Sequence, residues 1–563
     1  MVDSLLVDLG IIIIAATFIS ILVRLLKQPL VLGYILGGII VGPQILNYVK
    51  NSQAVLVLSE LGIAFLLFII GMELDLKKIA KTGMISSVLG IVQVILTASI
   101  GFLASYFMGF SIKESFYLGI IVAFSSTMIV IKLLVDKKEL ESIHGELILG
   151  IMLIQDIIAI IVLSVIPFFD NFNLGQIGRT IINGILLLFA FYLIYKFILS
   201  SFIKVIVKSP ELLFIGSLSI IIIYSGLAYY LGYSLAIGAF IAGLSLSATD
   251  FRYDIQNRIK PFRDFFLVLF FVTLGMQIIF ENILKMIYPF VVLFLIVVIA
   301  KPAITFVLAK LLQYGNRTAF FTGVEIGQVG EFSLVLASIG ASEAYRHISN
   351  DLFSMITILT LVTMVITAYV INYDNYIYCF FSKILKPIES KTTKEEKLKY
   401  LPKKELKNHV IVFGYHKIAA PFIKTLIKLK NNFIVVDYNA EKVMQLMKKN
   451  IPCICSDLTN PDLLADINFC KAKMLVSTIK NFQGNLDLIR RYKSVNKKGI
   501  MIVVAASNED AIELYKEGAD YVILPEALGG EKISNYMVHL TPPGIRSWGK
   551  KHMKSVVQEN EFL

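Results

Sequence analysis

Two ionisable side chains stand where charge is expensive. Asp156 interrupts the apolar run from Leu147 to Phe169, and Lys301 lies in a second run, about 13 Å of helix from the next cation at Lys310. A charge at the middle of a bilayer-length segment costs at least ~3 kcal/mol, so such residues mark ion or proton pathways or pair with one another. A buried carboxylate can hold a proton or a cation but not both, which is the elementary chemistry of exchange. The other reading of Asp156 is a structural ion pair. Its candidate co-ligands are the neighbouring amide of Gln155 and the hydroxyls of Ser125, Ser126 and Thr127, which interrupt another apolar segment. Those hydroxyls could instead bond back to their own helix. Gln328 and Glu331 fall in a glycine-rich interruption from Gly323 to Glu331 and complete the set. Lys301 precedes Pro302, where a helix kinks, and the simplest partner for it is a facing carboxylate.

Such side chains need long helices to hold them. The chain has 563 residues, 56% hydrophobic and 17% charged, with a mean hydropathy of +0.75, which excludes a soluble globular protein. The net charge of +12 is not a nucleic-acid footprint, because the basic residues sit in short loops and in a Lys-rich stretch after residue 383. Their alternation places the C-terminus in the cytoplasm of a plasma-membrane protein whose surroundings are lipid bilayer. The run from Leu5 to Leu26 is long enough to be a retained first span. All four cysteines, Cys379, Cys453, Cys455 and Cys470, fall in the last third without metal-ligand spacing, so neither disulfides nor a structural metal is expected.

About thirteen spans are expected, from about 5–26 to 351–378. Leu32-Gly33-Tyr34 recurs as Leu231-Gly232-Tyr233, and Phe68-Ile69-Ile70-Gly71-Met72 is echoed by Val272-Thr273-Leu274-Gly275-Met276. Both echoes lie near 200 positions apart and seven spans apart. An odd shift relates halves that cross the membrane in opposite senses, the inverted-repeat plan of secondary transporters. The same offset links the Ser125–Thr127 interruption to that at Gly323–Glu331, and corresponding interrupted helices point to a substrate site.

The periodicity changes after residues 1–382. A charged linker, 383–408, leads to strands alternating with helices over 409–545, an α/β Rossmann-like cytosolic domain, and a basic tail, 546–563. The first strand ends at Gly414-Tyr415-His416, the second at Asp437, and Asp457 follows the third. Because no substrate domain follows, this domain should regulate rather than catalyse, and the chain is expected not to be an enzyme.

Gln155-Asp156, Ser125-Ser126-Thr127, the segment Leu58 to Asp75, Ile299-Ala300-Lys301 and Gly327-Gln328-Val329-Gly330-Glu331-Phe332 resemble the Kef branch of the monovalent cation:proton antiporter-2 family. The resemblance implies crossed broken helices, a homodimer, an elevator-like motion and exchange of K⁺ for H⁺, with Asp156 as carrier. Electrogenic sodium antiporters carry Asp-Asp where this chain has Gln155-Asp156, and many others carry Asn-Asp. Na⁺/H⁺ exchange on the same scaffold and a ligand-gated K⁺ channel are the alternatives, although no filter-like sequence supports a channel. The segment 409–545 resembles the nucleotide-binding domain of the regulator-of-potassium-conductance (TrkA-N type) family. Asp437 matches its ribose-binding acid and Asp457 the acid after the third strand, and the alternatives are AMP, ATP or NAD(H) as the regulator, or no ligand. The loop Gly414-Tyr415-His416-Lys417-Ile418-Ala419 departs from G-x-G-x-x-G by an imidazole where close backbone approach to phosphate is needed. The loop Asp250 to Pro261 has a positive balance, so glutathione gating is not carried over.

Overall fold

The computed structural model describes residues 2–528, apart from the stretches 74–83, 167–190, 386–398, 402–405 and 457–466 and some single positions and short junctions, together with residue 534. Asp457, Gly232, Tyr233, most of the linker and of the expected span 178–200, and the tail lie outside the described residues. The chain divides into two compact units, one formed by the helices that end at Leu385 and the other by the α/β segment that starts at Lys386.

Within the first unit, seven helices among the described residues are long and apolar enough to cross a membrane, and four shorter apolar helices accompany them. Helices are what such a sequence must form in lipid, because every backbone amide and carbonyl then finds a partner within its own segment. Two segments break that rule in the middle. One runs Ile112–Ala123 and resumes at Thr127–Lys137, and the other runs Asn316–Glu325 and resumes at Glu331–Ala341. The first begins on a reciprocal cap, Ser111 accepting from the Glu114 amide while Glu114 accepts from the Ser111 amide. A third irregularity, the π-helical turn Ile296–Ala300, precedes the helix Lys301–Leu311 with Pro302 in its first turn.

The second helix, Leu30–Val41, is shorter than the stretch 30–48 expected from hydropathy. It stops because Gly42 precedes Pro43 and takes an extended conformation, which a proline imposes on the residue before it.

The inverted repeat is visible in packing. A Cβ added to Gly38 would lie 2.0 Å from the Val272 carbonyl oxygen, and one on Gly275 would lie 2.1 Å from that of Ile35. In the counterpart pair, Gly243 meets the Phe68 carbonyl at 1.9 Å and Gly71 meets that of Phe240 at 2.3 Å. Each residue of one quartet maps onto its counterpart in the other by a shift of 204 or 205 positions. Leu30–Val41 therefore packs on Arg252–Met276 as Leu235–Ser247 packs on Ser52–Glu73, with backbones in contact wherever glycine removes the side chain.

Among its described residues the second unit holds a seven-stranded sheet flanked by helices: β1 (Lys399–Tyr400), β2 (His409–Phe413), β3 (Phe433–Asp437), β4 (Cys453–Cys455), β5 (Ala472–Ser477), β6 (Ile500–Val504) and β7 (Tyr521–Ile523). The order is β1-β4-β3-β2-β5-β6-β7, parallel except for β1. β2 and β3 are buried throughout, as continuous apolar strands covered on both faces must be. The strand order reverses direction between β2 and β5, and in such sheets ligands bind in the crevice at that reversal.

Candidate ion site at two crossed helix breaks

The two interruptions touch. Ser125 Oγ donates to the Ile326 carbonyl at 2.9 Å, and Gln328 Nε2 donates to the Ser126 carbonyl at 3.3 Å. Contact this close requires glycine, since a Cβ on Gly330 would sit 2.5 Å from the Ser125 oxygen. The backbone groups that the breaks release are satisfied from outside. Ser333 Oγ donates to the Ile121 carbonyl at 2.8 Å, Thr367 Oγ1 to that of Gly327 at 3.1 Å, and Thr363 Oγ1 accepts from the Val329 amide at 3.2 Å. Thr363 and Thr367 belong to a stripe of buried threonines, with Thr357 and Thr360, on the helix Asn350–Leu385.

Asp156 and Gln155 approach the first break from the helix Ile143–Val165. Thr127 Oγ1 lies 3.1 and 3.3 Å from the two Asp156 carboxylate oxygens, and Asp156 as a residue is 8% exposed. Gln155 faces the other way. Its Oε1 accepts from the Ser125 amide at 2.8 Å, while its Nε2 donates to Gln93 Oε1 at 2.7 Å. Gln93 in turn reaches Thr97 Oγ1 at 3.1 Å and the Ala123 carbonyl at 3.4 Å. An acceptor was needed at position 155 because the broken turn leaves the Ser125 amide without a helical partner. Ser126 Oγ accepts from the Ile129 amide at 3.4 Å, which caps the resumed helix. Glu331 Oε1 accepts from the Met128 amide at 3.4 Å, so Glu331 is held against the same resumed turn.

Lys301 corrects the expectation of a facing carboxylate. It is fully buried, and its ammonium donates to the Phe124 carbonyl at 2.9 Å and the Gln328 carbonyl at 2.7 Å, one from each break. Two backbone oxygens thus do what a carboxylate was expected to do. The reason is local: unwinding both helices at one place leaves a freed carbonyl from each within reach of one ammonium, which bridges them.

The structure brings together Ser125, Ser126, Thr127, Gln155, Asp156, Lys301, Gln328 and Glu331. It also adds residues not anticipated from sequence. Gln93 carried the same signal as Asp156, a polar residue inside the apolar helix Met84–Phe107. A separate buried group joins Lys137, Glu139, His144, Glu325 and Asp374. Lys137 Nζ lies 3.3 Å from Glu139 Oε2 and donates to Asp374 and to the Ile371 carbonyl, while His144 Nε2 lies 3.5 Å from Glu139 and 4.0 Å from Glu325. Glu139, His144 and Glu325 each place a possible metal donor within 4.8 Å of the others. With Lys137 set against Glu139, the arrangement is an ion-pair network. Burial alone pushes the Glu139 carboxyl up, but the hydrogen bond from His144 and the Lys137 charge outweigh it and bring it down to about 2.

In the second unit, Gly414 turns the chain at φ +86° and Asp437 closes the turn. Its Oδ2 accepts from the Tyr415 amide at 2.5 Å and its Oδ1 from the Asn439 amide at 2.8 Å. Burial pushes this carboxyl up, and the two amides pull it back. His416 Nε2 lies 2.8 Å from the Thr478 carbonyl across the crevice. Asp437 thus stands at the edge of the strand-order reversal, and the His416 imidazole crosses from the turn after β2 to the end of β5.

A family model of the transmembrane sodium/hydrogen exchanger matches residues 12–372, and one of the TrkA-N domain matches residues 410–525. The chain belongs to the sodium/hydrogen exchanger family. It is a multi-pass membrane protein of that family with a TrkA-N domain behind the exchanger domain. Over 341 residues it is 29% identical to K(+) efflux antiporter 5 of Arabidopsis thaliana, spanning 59% of this chain and 60% of the plant protein. Over 490 residues it is 27% identical to the glutathione-regulated potassium-efflux system protein KefC of Escherichia coli K12, spanning 85% of this chain and 76% of that one. Among solved structures, the sodium proton antiporter MjNhaP1 of Methanocaldococcus jannaschii aligns at 17% identity with a TM-score of 0.48, covering 67% of this chain and 99% of that one.

Proposed function

We propose that this exchanger is a K⁺/H⁺ antiporter, a transporter and not an enzyme, that moves K⁺ outward against proton entry, with Asp156 as the group that both ions share. The observation that carries the reading is the position of Asp156: a nearly buried carboxylate bonded to Thr127 at the first turn after a helix break, beside a second break. K⁺ or a proton can neutralise that carboxylate, and occupancy by one excludes the other, so the two fluxes run in opposite senses. Hydroxyl and carbonyl oxygens from the breaks would complete the coordination of a largely dehydrated cation. Gln155 fixes the geometry of the break and holds Ser125, and Lys301 holds the two breaks together. The names of the potassium-efflux relatives support K⁺ as cargo. The name of the family model favours Na⁺ as the second reading.

The crossed breaks and the paired halves suit an elevator in which a core carrying Asp156 and the broken helices moves against the dimerisation domain of a homodimer. The second unit, on the cytoplasmic side, regulates the transporter and takes an adenine nucleotide (AMP, ATP or NAD(H)) at the crevice between β2 and β5, with Asp437 toward the ribose. Proteoliposome exchange with K⁺, Na⁺ and Li⁺ tests the reading. Proton movement should be opposite to and dependent on K⁺, and Asp156→Asn should abolish it. Coupled exchange near the wild-type rate in Asp156→Asn would remove Asp156 from the role, and Na⁺ preferred over K⁺ would select the second reading.

A further inference from the structure

The crevice between β2 and β5 is where a doubly wound sheet receives phosphate, because the glycine turn brings the backbone close and the next helix points its free amides at the ligand. Among the described residues three of those amides are already used, and His416 accepts from all three. The His416 carbonyl accepts from the Ala419 amide at 2.9 Å and the Ala420 amide at 3.1 Å. Its Nδ1 accepts from the Ile418 amide at 3.3 Å. These are the leading amides of the helix Ala419–Lys428. On the far side of the crevice, Nε2 lies 2.8 Å from the Thr478 carbonyl and 3.1 Å from Thr478 Oγ1. A carbonyl can only accept, so Nε2 carries the proton and Nδ1 is the acceptor. Both ring nitrogens are satisfied in this neutral tautomer, and the ring ties the loop after β2 to the end of β5. Burial lowers the His416 pKa from its ordinary value, the Thr478 carbonyl raises it, and Lys442, Asp437 and Lys480 are the charged groups it feels, so the neutral form holds at neutral pH.

We propose that His416 is an internal latch on the phosphate seat: its imidazole stands in for the phosphate of an adenine nucleotide, and a nucleoside phosphate binds only by displacing it. This rests on the nucleotide reading given above and specifies its chemistry. An unphosphorylated nucleoside uses Asp437 and the adenine side of the crevice and does not contest the latch. His416 is thus a specificity-determining residue that weakens phosphate-bearing ligands relative to the nucleoside.

The test is calorimetric titration of the full-length protein in detergent with adenosine, AMP and NAD⁺. Wild type is compared with His416→Gly, which restores the second glycine, and with His416→Ala, which removes the imidazole while adding less backbone freedom. Melting curves establish that each variant is folded. Releasing the seat should tighten AMP and NAD⁺ by about tenfold, the order of one hydrogen bond no longer given up, and leave adenosine within about twofold. If both variants bind AMP more weakly while adenosine is unchanged, His416 is a phosphate ligand and the latch is refuted. Unchanged AMP affinity refutes it too, but leaves the nucleotide reading standing. If no form binds adenosine, AMP or NAD⁺, both fall together.

Discussion

Replacing Lys301 by methionine separates two accounts of the membrane site. The substitution keeps the apolar stem and deletes the ammonium, which donates at 2.9 and 2.7 Å to carbonyls of Phe124 and Gln328. Each hydrogen bond from a charged donor contributes about 1.5–3 kcal/mol, and each buried carbonyl left without a partner costs about 1–3 kcal/mol. Against this, the variant no longer buries a charge, which recovers several kcal/mol of desolvation. The terms leave a net loss of about 3 kcal/mol, carried mainly by the two orphaned carbonyls, and a melting temperature lower by roughly 5 °C. Because Lys301 bonds the breaks and not Asp156, maximal exchange should fall while the pH midpoint of exchange stays where it is. Thermal unfolding in detergent and a pH series in proteoliposomes measure the two quantities on the same preparation. A variant that melts like wild type but shows a displaced pH midpoint would refute the bridging role and return Lys301 to Asp156.

Other substitutions follow from the same geometry. Gly243→Ala drives a methyl into the Phe68 carbonyl, 1.9 Å from the new carbon, so it should cost about 3 kcal/mol or prevent folding, visible as loss of a monodisperse peak in detergent; Gly226→Ala, where nothing lies within 4 Å, should be neutral. Glu139 is held at about 2 in the folded protein against an ordinary 4.5, so its contribution is present above pH 4.5 and is lost as pH falls toward 2. At about 1.4 kcal/mol per pH unit that gap is worth roughly 3 kcal/mol, and His144→Ala should move the acid loss of stability to higher pH in a melting series. Asp437→Ala orphans the Tyr415 and Asn439 amides and should destabilise the second unit by about 2–4 kcal/mol; amide hydrogen exchange at these two residues, unchanged from wild type, would count against it.

Much of the fold was legible because it is written in runs and offsets. Apolar length marks helices, and hydroxyls or glycines within such a run mark the breaks at Phe124–Ser126 and Ile326–Gly330. The echo of Gly71 by Gly275 marked a repeat that packing extends to Gly38 and Gly243. What could not be read was which atom meets which. The depth of Lys301 announced a partner, but a sequence displays side chains and not the carbonyls that unwinding exposes. Gln93 was passed over because an amide in lipid draws less notice than a charge, although its bond to Gln155 couples a third helix to the break. The Lys137, Glu139, His144, Glu325 and Asp374 group draws on segments far apart in the chain, and no spacing rule joins them. His416 was visible as a departure from the glycine pattern, yet its bonds to Thr478 and Ile418 depend on the strand order.

The paired glycine contacts also govern where this protein can bend. Two helices pinned at a single point can swivel about it, but each pair here is pinned twice and reciprocally, the glycine of one against the carbonyl of the other and the reverse. Twisting such a pair opens one notch as it closes the other, and sliding it brings a side chain into a space cut for a hydrogen atom. The two couples therefore behave as stiff girders that resist changes of shape. Compliance is left to their junctions, such as the extended Gly42 before Pro43, and loosening a junction should alter the speed of movement while leaving the girders' own melting behaviour untouched.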